Sequence, residues 1–361
     1  MRYFELIQAA LWGKPAVWPA EEEQDLLRMN MQQGTAALVF PYVLEQETLS
    51  SYARTHMKGA CIGTIQSQIP LQHILRIAWQ ALEKAGIKAV LMKGAGLAAL
   101  YPAPHYRSWG DIDLYVGPEQ YHPACAVMRE TFPKALKFDE ELDHYKHYNL
   151  IADGVSIEVH RVSVGFQHPL DERRYARMEA YGMTHTEPIM LNGLELRVPE
   201  PTFNALFVCL HSWEHMSTQG GNVRQLCDLA LLLHHYAGRI DASRLKGYLK
   251  ALHLTDVWYL YMYILVNQLG LPQEEALFYS PKVAERAERL SEDLLAGRLV
   301  TSNEKGQSPK GRFARKWHTM KGRFSNAKRI AQYSPSYARH MNVTTILNGL
   351  RRLFAKDRHW E

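Results

Sequence analysis

Cysteine is scarce in this chain and scattered where it occurs. The 361 residues hold four, Cys61, Cys125, Cys209 and Cys227, with no CxxC pair. That pattern excludes a cysteine-built zinc site and a disulfide framework. Each cysteine lies in an apolar stretch, so four buried free thiols are expected. Long hydrophobic runs are also missing. The most apolar run, residues 257–266, has ten residues. A membrane helix needs about 20, so this run reads as a buried helix. The opening Met1-Arg2-Tyr3-Phe4-Glu5 lacks the apolar core of a signal peptide, and charges follow at Lys14 and Glu21. A cytoplasmic protein with no membrane contact is the expectation. No internal repeat or long low-complexity tract is present. With 47% hydrophobic and 22% charged residues, wholesale disorder is excluded. The length suggests roughly two domains.

Charge is unevenly spread. Residues 301–361 hold 14 Lys/Arg against 3 Asp/Glu, a local charge of +11, whereas the first 300 hold 28 against 34, a charge of −6. The basic segment includes Arg312, Arg315, Lys316, Lys321, Arg323, Lys328 and Arg329, with Trp317 and Phe324 interleaved. That spacing suits an amphipathic helix. It reads either as a solvated helix packed on the acidic body or as a contact for a polyanionic partner such as RNA.

The first 85 residues read as helical. Residues 21–31 form an amphipathic stretch, and residues 48–86 form two helical stretches broken near Pro70. The pattern then changes. Residues 87–92 suit a buried strand, followed by Lys93-Gly94-Ala95-Gly96 and a helical segment at 97–100. A loop with Pro102, Pro104, Arg107 and Trp109 leads to a half-buried strand at 111–116. Residues 118–130 read as a helix with proline at its start. Strands at 148–151 and 155–162 are joined by Asp153-Gly154, a hairpin signal, and Asn192-Gly193 marks a second hairpin. Helical spacing then dominates at 201–216, 222–236, 242–252 and 255–269. Residues 302–311 are a linker candidate.

The sharpest feature is Asp111-Ile112-Asp113. On a strand, residues i and i+2 share a face, so the two carboxylates project side by side. Their repulsion is commonly relieved by a divalent cation, and hard oxygen ligands favour Mg²⁺ or Mn²⁺. Glu158, in Ser156-Ile157-Glu158-Val159-His160, is a third carboxylate flanked by apolar residues. If its strand pairs beside the first, the three converge. Such a triad can hold two metals and support an in-line nucleotidyl displacement. The bland alternative is a solvated face on two amphipathic strands. Upstream, the glycine-rich turn at Lys93-Gly94-Ala95-Gly96 lies between a strand and a helix, a natural phosphate seat.

Residues 87–116, IKAVLMKGAGLAALYPAPHYRSWGDIDLYV, resemble the uncharacterised nucleotidyltransferase family within the DNA polymerase β-like superfamily. Its apolar strand, Lys-Gly turn, Tyr-Pro loop with an arginine and Asp-Ile-Asp strand are all matched. Glu158-Val159-His160 matches the later carboxylate-histidine strand. LHSWEH and NVRQLCDLALLL, at 210–215 and 222–233, resemble the family's His-containing and Arg/Asp-containing helices. The resemblance spans about residues 1–300 and is strong between 87 and 161. It implies an α+β fold: a small mixed polymerase-β-like palm sheet flanked by N-terminal helices and a larger C-terminal helical region. The expected domains are an N-terminal helical region packed on the palm at 1–86, the palm at 87–200, a helical domain at 201–300 and a basic helical tail at 301–361.

The resemblance also implies roles. Asp111 and Asp113 would ligate the metals. Glu158 would ligate the second metal and help activate an acceptor hydroxyl, and Gly94 with its backbone neighbours would meet the triphosphate. The broader superfamily usually has Gly-Ser at the turn, where this chain has Gly94-Ala95. Either Lys93 or Arg107 supplies the missing phosphate contact, or nucleotide affinity is reduced. The implied activity is transfer of a nucleoside monophosphate from an NTP to an acceptor hydroxyl, with pyrophosphate released. Neither the acceptor nor the base is named by the sequence.

Other candidates keep two readings each. Lys93 is a phosphate contact or a solvated lysine at a strand end. Arg107 is placed as a phosphate clamp, and Trp109 as a core residue. His160 orients Glu158, contacts phosphate, or is structural. His211 lies near the nucleotide or packs under the cleft. Arg224 forms a helix-surface pair with Asp228 or reaches the triphosphate. His144 and His147 read as surface residues. His211-Ser212-Trp213-Glu214-His215 also spells H-x-x-E-H, an inverted zinc-protease motif needing a third ligand such as Glu285, Glu288 or Glu292. Two further alternatives remain: a catalytically degenerate nucleotide-binding or scaffold protein, and a nucleic-acid-binding protein acting through its basic tail.

Overall fold

Two Asx-Gly steps organise the β-structure. Asp153 and Gly154 have φ of 49° and 80°, and Asn192 and Gly193 have 48° and 73°. Positive φ at both central residues is the two-residue hairpin geometry that matches strand twist. In the computed structural model, which describes residues 2–138, 142, 144–299 and 312–354, these turns join β4 (His147–Ala152) to β5 (Val155–His160), and β6 (Glu187–Leu191) to β7 (Leu194–Val198). With β1 (Val90–Met92), β2 (Asp111–Tyr115) and β3 (Leu136–Lys137), the first hairpin builds a five-stranded sheet of order β1-β2-β5-β4-β3. β2 and β5 are parallel and the other neighbours antiparallel. β6 and β7 form a separate two-stranded sheet.

The helices, in chain order, are α1 (Arg2–Trp12), α2 (Glu23–Gln32), α3 (Ala36–Val43), α4 (Ser51–Lys84), α5 (Gly94–Ala98), α6 (Gly117–Thr131), α7 (Pro169–Thr184), α8 (Pro201–Thr218), α9 (Val223–His235), α10 (Ala242–Ala251), α11 (Thr255–Asn267), α12 (Ala284–Leu295), α13 (Arg312–Ile330) and α14 (Pro335–Phe354). The fold is α+β, a small mixed sheet among many helices. No helix among the described residues is long and apolar enough to cross a membrane. All four cysteines are buried and free.

Pro70 does not break the chain into two helices. α4 runs through it for 34 residues. Pro70 and Gln66, the residue whose carbonyl loses its partner, are both exposed, so water can satisfy that carbonyl. Buried residues on either side, Ala53, Met57 and Cys61 before it and Leu71, Ile74, Leu75, Ala78, Trp79 and Leu82 after it, anchor the helix across a local defect. Tertiary packing overrides the proline penalty of about 3 kcal/mol.

The central sheet has two unlike faces. Ile112, Leu114, Tyr148, Leu150, Ile157 and Val159 face one way and join the second half of α4 and Tyr121, Ala124, Cys125 and Met128 of α6 in one apolar cluster. Alternation then sends Asp111, Asp113, Glu158 and His160 to the opposite face. The larger core unites α1–α3 and the first half of α4 with α8–α12, and reaches Val90, Met92 and Tyr115 on that second face. The N-terminal helices therefore pack largely on the C-terminal helical layer, and α4 carries the link to the sheet.

Candidate active site

Parallel pairing sets the register of the charged row. Asp111 lies beside Ser156, Asp113 beside Glu158 and Tyr115 beside His160. Asp113 is buried, and its two carboxylate oxygens differ. Oδ1 accepts from Lys93 Nζ at 2.9 Å and from His160 Nε2 at 3.0 Å. Oδ2 is buried with no hydrogen-bond partner among the described residues. His160 Nε2 also reaches Glu158 Oε2 at 3.1 Å, and its Nδ1 lies 3.4 Å from the Val162 carbonyl. One imidazole thus bridges two carboxylates.

The electrostatics follow from this crowding. Asp113 beside it, together with burial, pushes the Asp111 carboxyl up. Burial would also push Asp113 up, but Lys93 and His160 overcome it and hold Asp113 well below the usual carboxylate range. Burial opposes the charged form of His160, yet its bonds to Asp113 and Glu158 win and raise its pKa. Lys93 is likewise disfavoured by burial and held cationic by Asp113, Asp111 and Glu158. Lys93 has φ 49° and ψ −137°, a sparsely populated conformation for a residue with a Cβ. Such backbone costs on the order of 1–3 kcal/mol and persists where surroundings dictate it. Here it turns the chain from β1 into α5 while its ammonium reaches Asp113.

His147 is a site residue that the sequence reading placed on the surface. Hairpin pairing sets it opposite His160. The two rings lie 5.0 Å apart, and His147 Nδ1 is 3.8 Å from Glu158 Oε2. Burial and the neighbouring His160 cation outweigh Glu158 and bring its pKa down to about 4. The signal was present: a two-residue turn at 153–154 pairs residue 147 with 160 by counting outward. His147, Glu158 and His160 each offer a ligand atom, all within 4.8 Å of one another. The Asp111, Asp113 and Glu158 triad does not form so tight a set.

Gly94 and Ala95 lie at the turn, both buried. A Cβ on Gly94 would stand 3.4 Å from the Asp111 carbonyl oxygen, so the turn abuts the carboxylate strand. Ala95 belongs to the apolar cluster behind the sheet. Its methyl faces the core, where a hydroxyl would find little use.

Arg107 and Arg224 hold the loop that precedes β2. Arg107 is buried, with Nε and Nη2 donating to Asp228 at 3.0 and 2.6 Å and Nη1 to the Ser108 carbonyl at 3.1 Å. Tyr101 donates to Asp228 at 2.8 Å. Arg224 donates to the Ser108 carbonyl at 2.8 Å and to its hydroxyl. Asp228 therefore takes Arg107 from the loop rather than Arg224 one turn away on its own helix. Gln68 of α4 donates to the His105 and Arg107 carbonyls at 3.0 and 2.9 Å. Trp109 is buried in the sheet's apolar cluster.

The helix α8 presents His211, Glu214 and His215 toward this face. Burial and the nearby Lys93 cation keep His211 well below the usual histidine range, and burial raises Glu214. The His211 and His215 rings meet edge to face at 4.5 Å. Among the described residues, His211 and His215 belong to no metal-capable group with Glu285, Glu288 or Glu292. Glu288 accepts from Tyr263 at 2.8 Å and Glu285 pairs with Arg289 at 2.9 Å. Glu179 of α7 is a further carboxylate that the sequence reading missed. It accepts from the Ser163 amide at 2.6 Å and from Tyr115 at 3.4 Å, bracing β2 and the segment after β5 from below. The α7 stretch carries no motif that marks it.

A model of the uncharacterised nucleotidyltransferase family matches residues 19–270, well over half of the chain. The chain belongs to that family. No curated protein and no solved structure matches it. The matched span contains both sheets, the carboxylate row and the arginine-braced loop. Nucleotidyl transfer is the general chemistry that membership supports.

The donor set suits a hard divalent cation. A buried, ionised carboxylate oxygen without a partner, next to a second carboxyl whose pKa is pushed up by its neighbour, is a pair of anions short of positive charge. The α13–α14 tail packs on the body through residues the structure describes. Arg329 donates to the Leu299 and Ser217 carbonyls at 2.8 and 2.7 Å, and Ala327 and Ile330 are buried. The linker candidate at 302–311, along with the side chains of Arg312, Arg315, Lys316 and Trp317, lies outside the described residues.

Proposed function

We propose that this nucleotidyltransferase uses a divalent cation, Mg²⁺ or Mn²⁺, to move a nucleoside monophosphate from an NTP to an acceptor hydroxyl. The observation that carries the reading is Asp113 beside Glu158 in parallel register, with Asp111 two residues along the same face and Asp113 Oδ2 unpartnered. Asp111, Asp113 and Glu158 are the residues assigned to hold the metal. When bound, it neutralises charge on the phosphates and on the three carboxylates.

The chain's own groups do the rest. Glu158 orients the acceptor hydroxyl and draws on its proton as the acceptor oxygen bonds to the α-phosphorus. The bond from that phosphorus to the β-phosphate oxygen breaks, and pyrophosphate leaves with the electron pair. Lys93, cationic and braced against Asp113, steadies the departing charge, and the Gly94–Ala95 amides sit at the phosphate turn. His160 keeps Asp113 and Glu158 in register. We assign Arg107 to fixing the loop before β2, because its Nε, Nη1 and Nη2 are engaged there, and Arg224 to the same loop through Nη1 alone, its Nε being buried with no partner among the described residues. His211, held neutral, borders the nucleotide side of the cleft. Positioning and charge neutralisation carry most of such a reaction.

The test is incorporation of label from each of the four α-labelled NTPs with Mg²⁺ and small-molecule, RNA or protein acceptors. Pyrophosphate release that disappears in Asp113→Asn is the expected result. No product from any NTP in wild type removes the enzyme reading. One observation favours a second reading, a degenerate nucleotide-binding module: Lys93 and His160 already occupy Asp113 Oδ1. Mg²⁺-enhanced NTP binding with no pyrophosphate release identifies that case.

A further inference from the structure

A second cluster of metal-capable side chains lies on elements that the carboxylate row does not use. Asp171 sits in the first turn of α7 and is buried. His253 lies in the connection between α10 and α11, and His340 lies on α14. Each offers one ligand atom, and these atoms all lie within 4.8 Å of one another. His340 Nε2 is 2.5 Å from Asp171 Oδ2, and His168 Nδ1 is 3.8 Å from that same oxygen. His168 Nδ1 is buried with no hydrogen-bond partner among the described residues. The His253 and His340 rings lie nearly parallel, with centroids 4.1 Å apart and 19° between planes.

We propose that Asp171, His253 and His340, completed by His168, form a structural zinc site that pins the C-terminal helical hairpin to the body.

Three imidazoles gathered on one buried carboxylate are more than its neutralisation needs, because Arg174 already lies 3.5 Å from Asp171 Oδ1. Three histidines and one carboxylate supply four donors, the number zinc takes in structural sites, and binding requires the stacked His253 and His340 rings to turn so that both point a nitrogen at the ion. Imidazole-rich donors select zinc over Mg²⁺, which prefers oxygen. The backbone supports a committed position for one ligand. His253 has φ of 60°, a left-handed conformation that a residue with a Cβ adopts at a cost of about 1–2 kcal/mol, and there it delivers the ring onto His340. Bonds of about 2.0–2.1 Å to zinc require neighbouring ligand atoms to stand roughly 3.3 Å apart. The His340–Asp171 contact opens by less than about 1 Å to admit the ion, while the wider pairs close.

The consequence is mechanical. The three elements, α7, the α10–α11 connection and α14, are distant in sequence, and α14 reaches the body otherwise through contacts such as Ser336 to Asp256 at 2.6 Å. One ion bonded to all three would order the hairpin whatever nucleotide is present.

The experiment uses the full chain, purified, stripped with a chelator and reconstituted with zinc alone. About one zinc per chain is expected to survive desalting, together with a zinc-dependent rise in melting temperature. His253→Gln and His340→Gln, checked for wild-type circular dichroism, should each lose the retained zinc and the rise. His147→Gln, which alters the other cluster, should keep both. Two results overturn the proposal: wild type that neither retains zinc nor melts later with it, or zinc that stays in His253→Gln and His340→Gln and departs with His147→Gln. If the circular dichroism of either variant is disturbed, His168→Gln and His147→Gln decide: the first should lose the retained zinc and the second should keep it, and the reverse overturns the proposal. None of these readouts depends on nucleotidyl transfer, so the two readings fail separately.

Discussion

Two buried ion pairs lie near one another around β2, and they differ in what they leave over. Arg107 and Asp228 form a closed pair. Both oxygens of Asp228 are engaged, by two nitrogens of a planar guanidinium and by Tyr101. Lys93 and Asp113 form an open one. Lysine delivers a point charge to one oxygen, His160 shares that oxygen, and Asp113 Oδ2 has no hydrogen-bond partner among the described residues. Arginine's fork satisfies a carboxylate bidentately, whereas an ammonium cannot. A buried acceptor left unpaired is expensive and is rarely retained without a use. The closed pair holds a loop in place. The open pair retains capacity for a further cation.

The strongest way to break this contrast is Asp113→Asn. The amide keeps the shape and removes the charge, so turnover should fall by at least about 10³-fold. Lys93 and His160 lose their anionic partner, so the melting temperature should fall as well, but the closed pair and both apolar clusters are untouched and the fold should be retained. If the variant unfolds while its residual activity stays near wild type, Asp113 is structural and the contrast is lost. The next largest effect belongs to the closed pair. Arg107→Ala strands Asp228 in the interior and should cost about 3–5 kcal/mol in a denaturant titration. A loss below about 1 kcal/mol would mean that the loop is not held by this pair.

Unequal legibility runs along the same division. The carboxylate row of the open pair was readable because Asp111-Ile112-Asp113 and Ser156-Ile157-Glu158 alternate with period two, and strand geometry alone puts their carboxylates on one face; that Lys93 turns onto Asp113 was not, because it depends on the unusual backbone of Lys93. Both hairpins were readable from Asp153-Gly154 and Asn192-Gly193, since few residue pairs accept positive φ twice in succession. The closed pair was not. Asp228 lies four residues from Arg224, and local spacing suggests that partner. The true partner, Arg107, is 121 residues away and comes close only once the helical layer packs on the sheet. Pro70 misled for a related reason, because local propensity carries no information about packing on both sides of it. His147 was recoverable, as pairing from the turn places it opposite His160. Glu179 was not, because α7 lacks a motif and its role depends on a tertiary contact to Ser163.

A subtler test uses the two facing histidines in metal-free protein. The folded state raises the pKa of His160. Its stabilisation is fully present below the unfolded value of about 6.5 and fades as pH rises through the raised value. His147 is brought down to about 4. Below about 6.5 the unfolded state binds the extra proton, so stability falls as pH drops toward about 4. Both limbs are read from urea midpoints measured in chelator. His160→Gln should flatten the alkaline limb and His147→Gln the acid limb. Identical profiles for both variants would show that the two rings do not experience opposite fields.

The smallest expected effect concerns the turn itself. Ala95 stands where the broader superfamily usually has serine, and that departure raises the question of whether a phosphate contact is missing. Its methyl is buried with Leu91, Ala98 and Leu75 in the cluster behind the sheet. A serine there puts a hydroxyl among hydrocarbon and should cost about 1 kcal/mol. The oxygen would gain no view of the carboxylate face, so turnover should stay within about twofold of wild type. Under the proposed function, Lys93, one residue before Gly94 and already on Asp113, is then the group assigned to the phosphates. If Ala95→Ser instead raises turnover tenfold or more, the turn can rotate to expose that position. The open pair would then be completed by the turn as well as by a cation, and the division between the two ion pairs would have to be redrawn to include it.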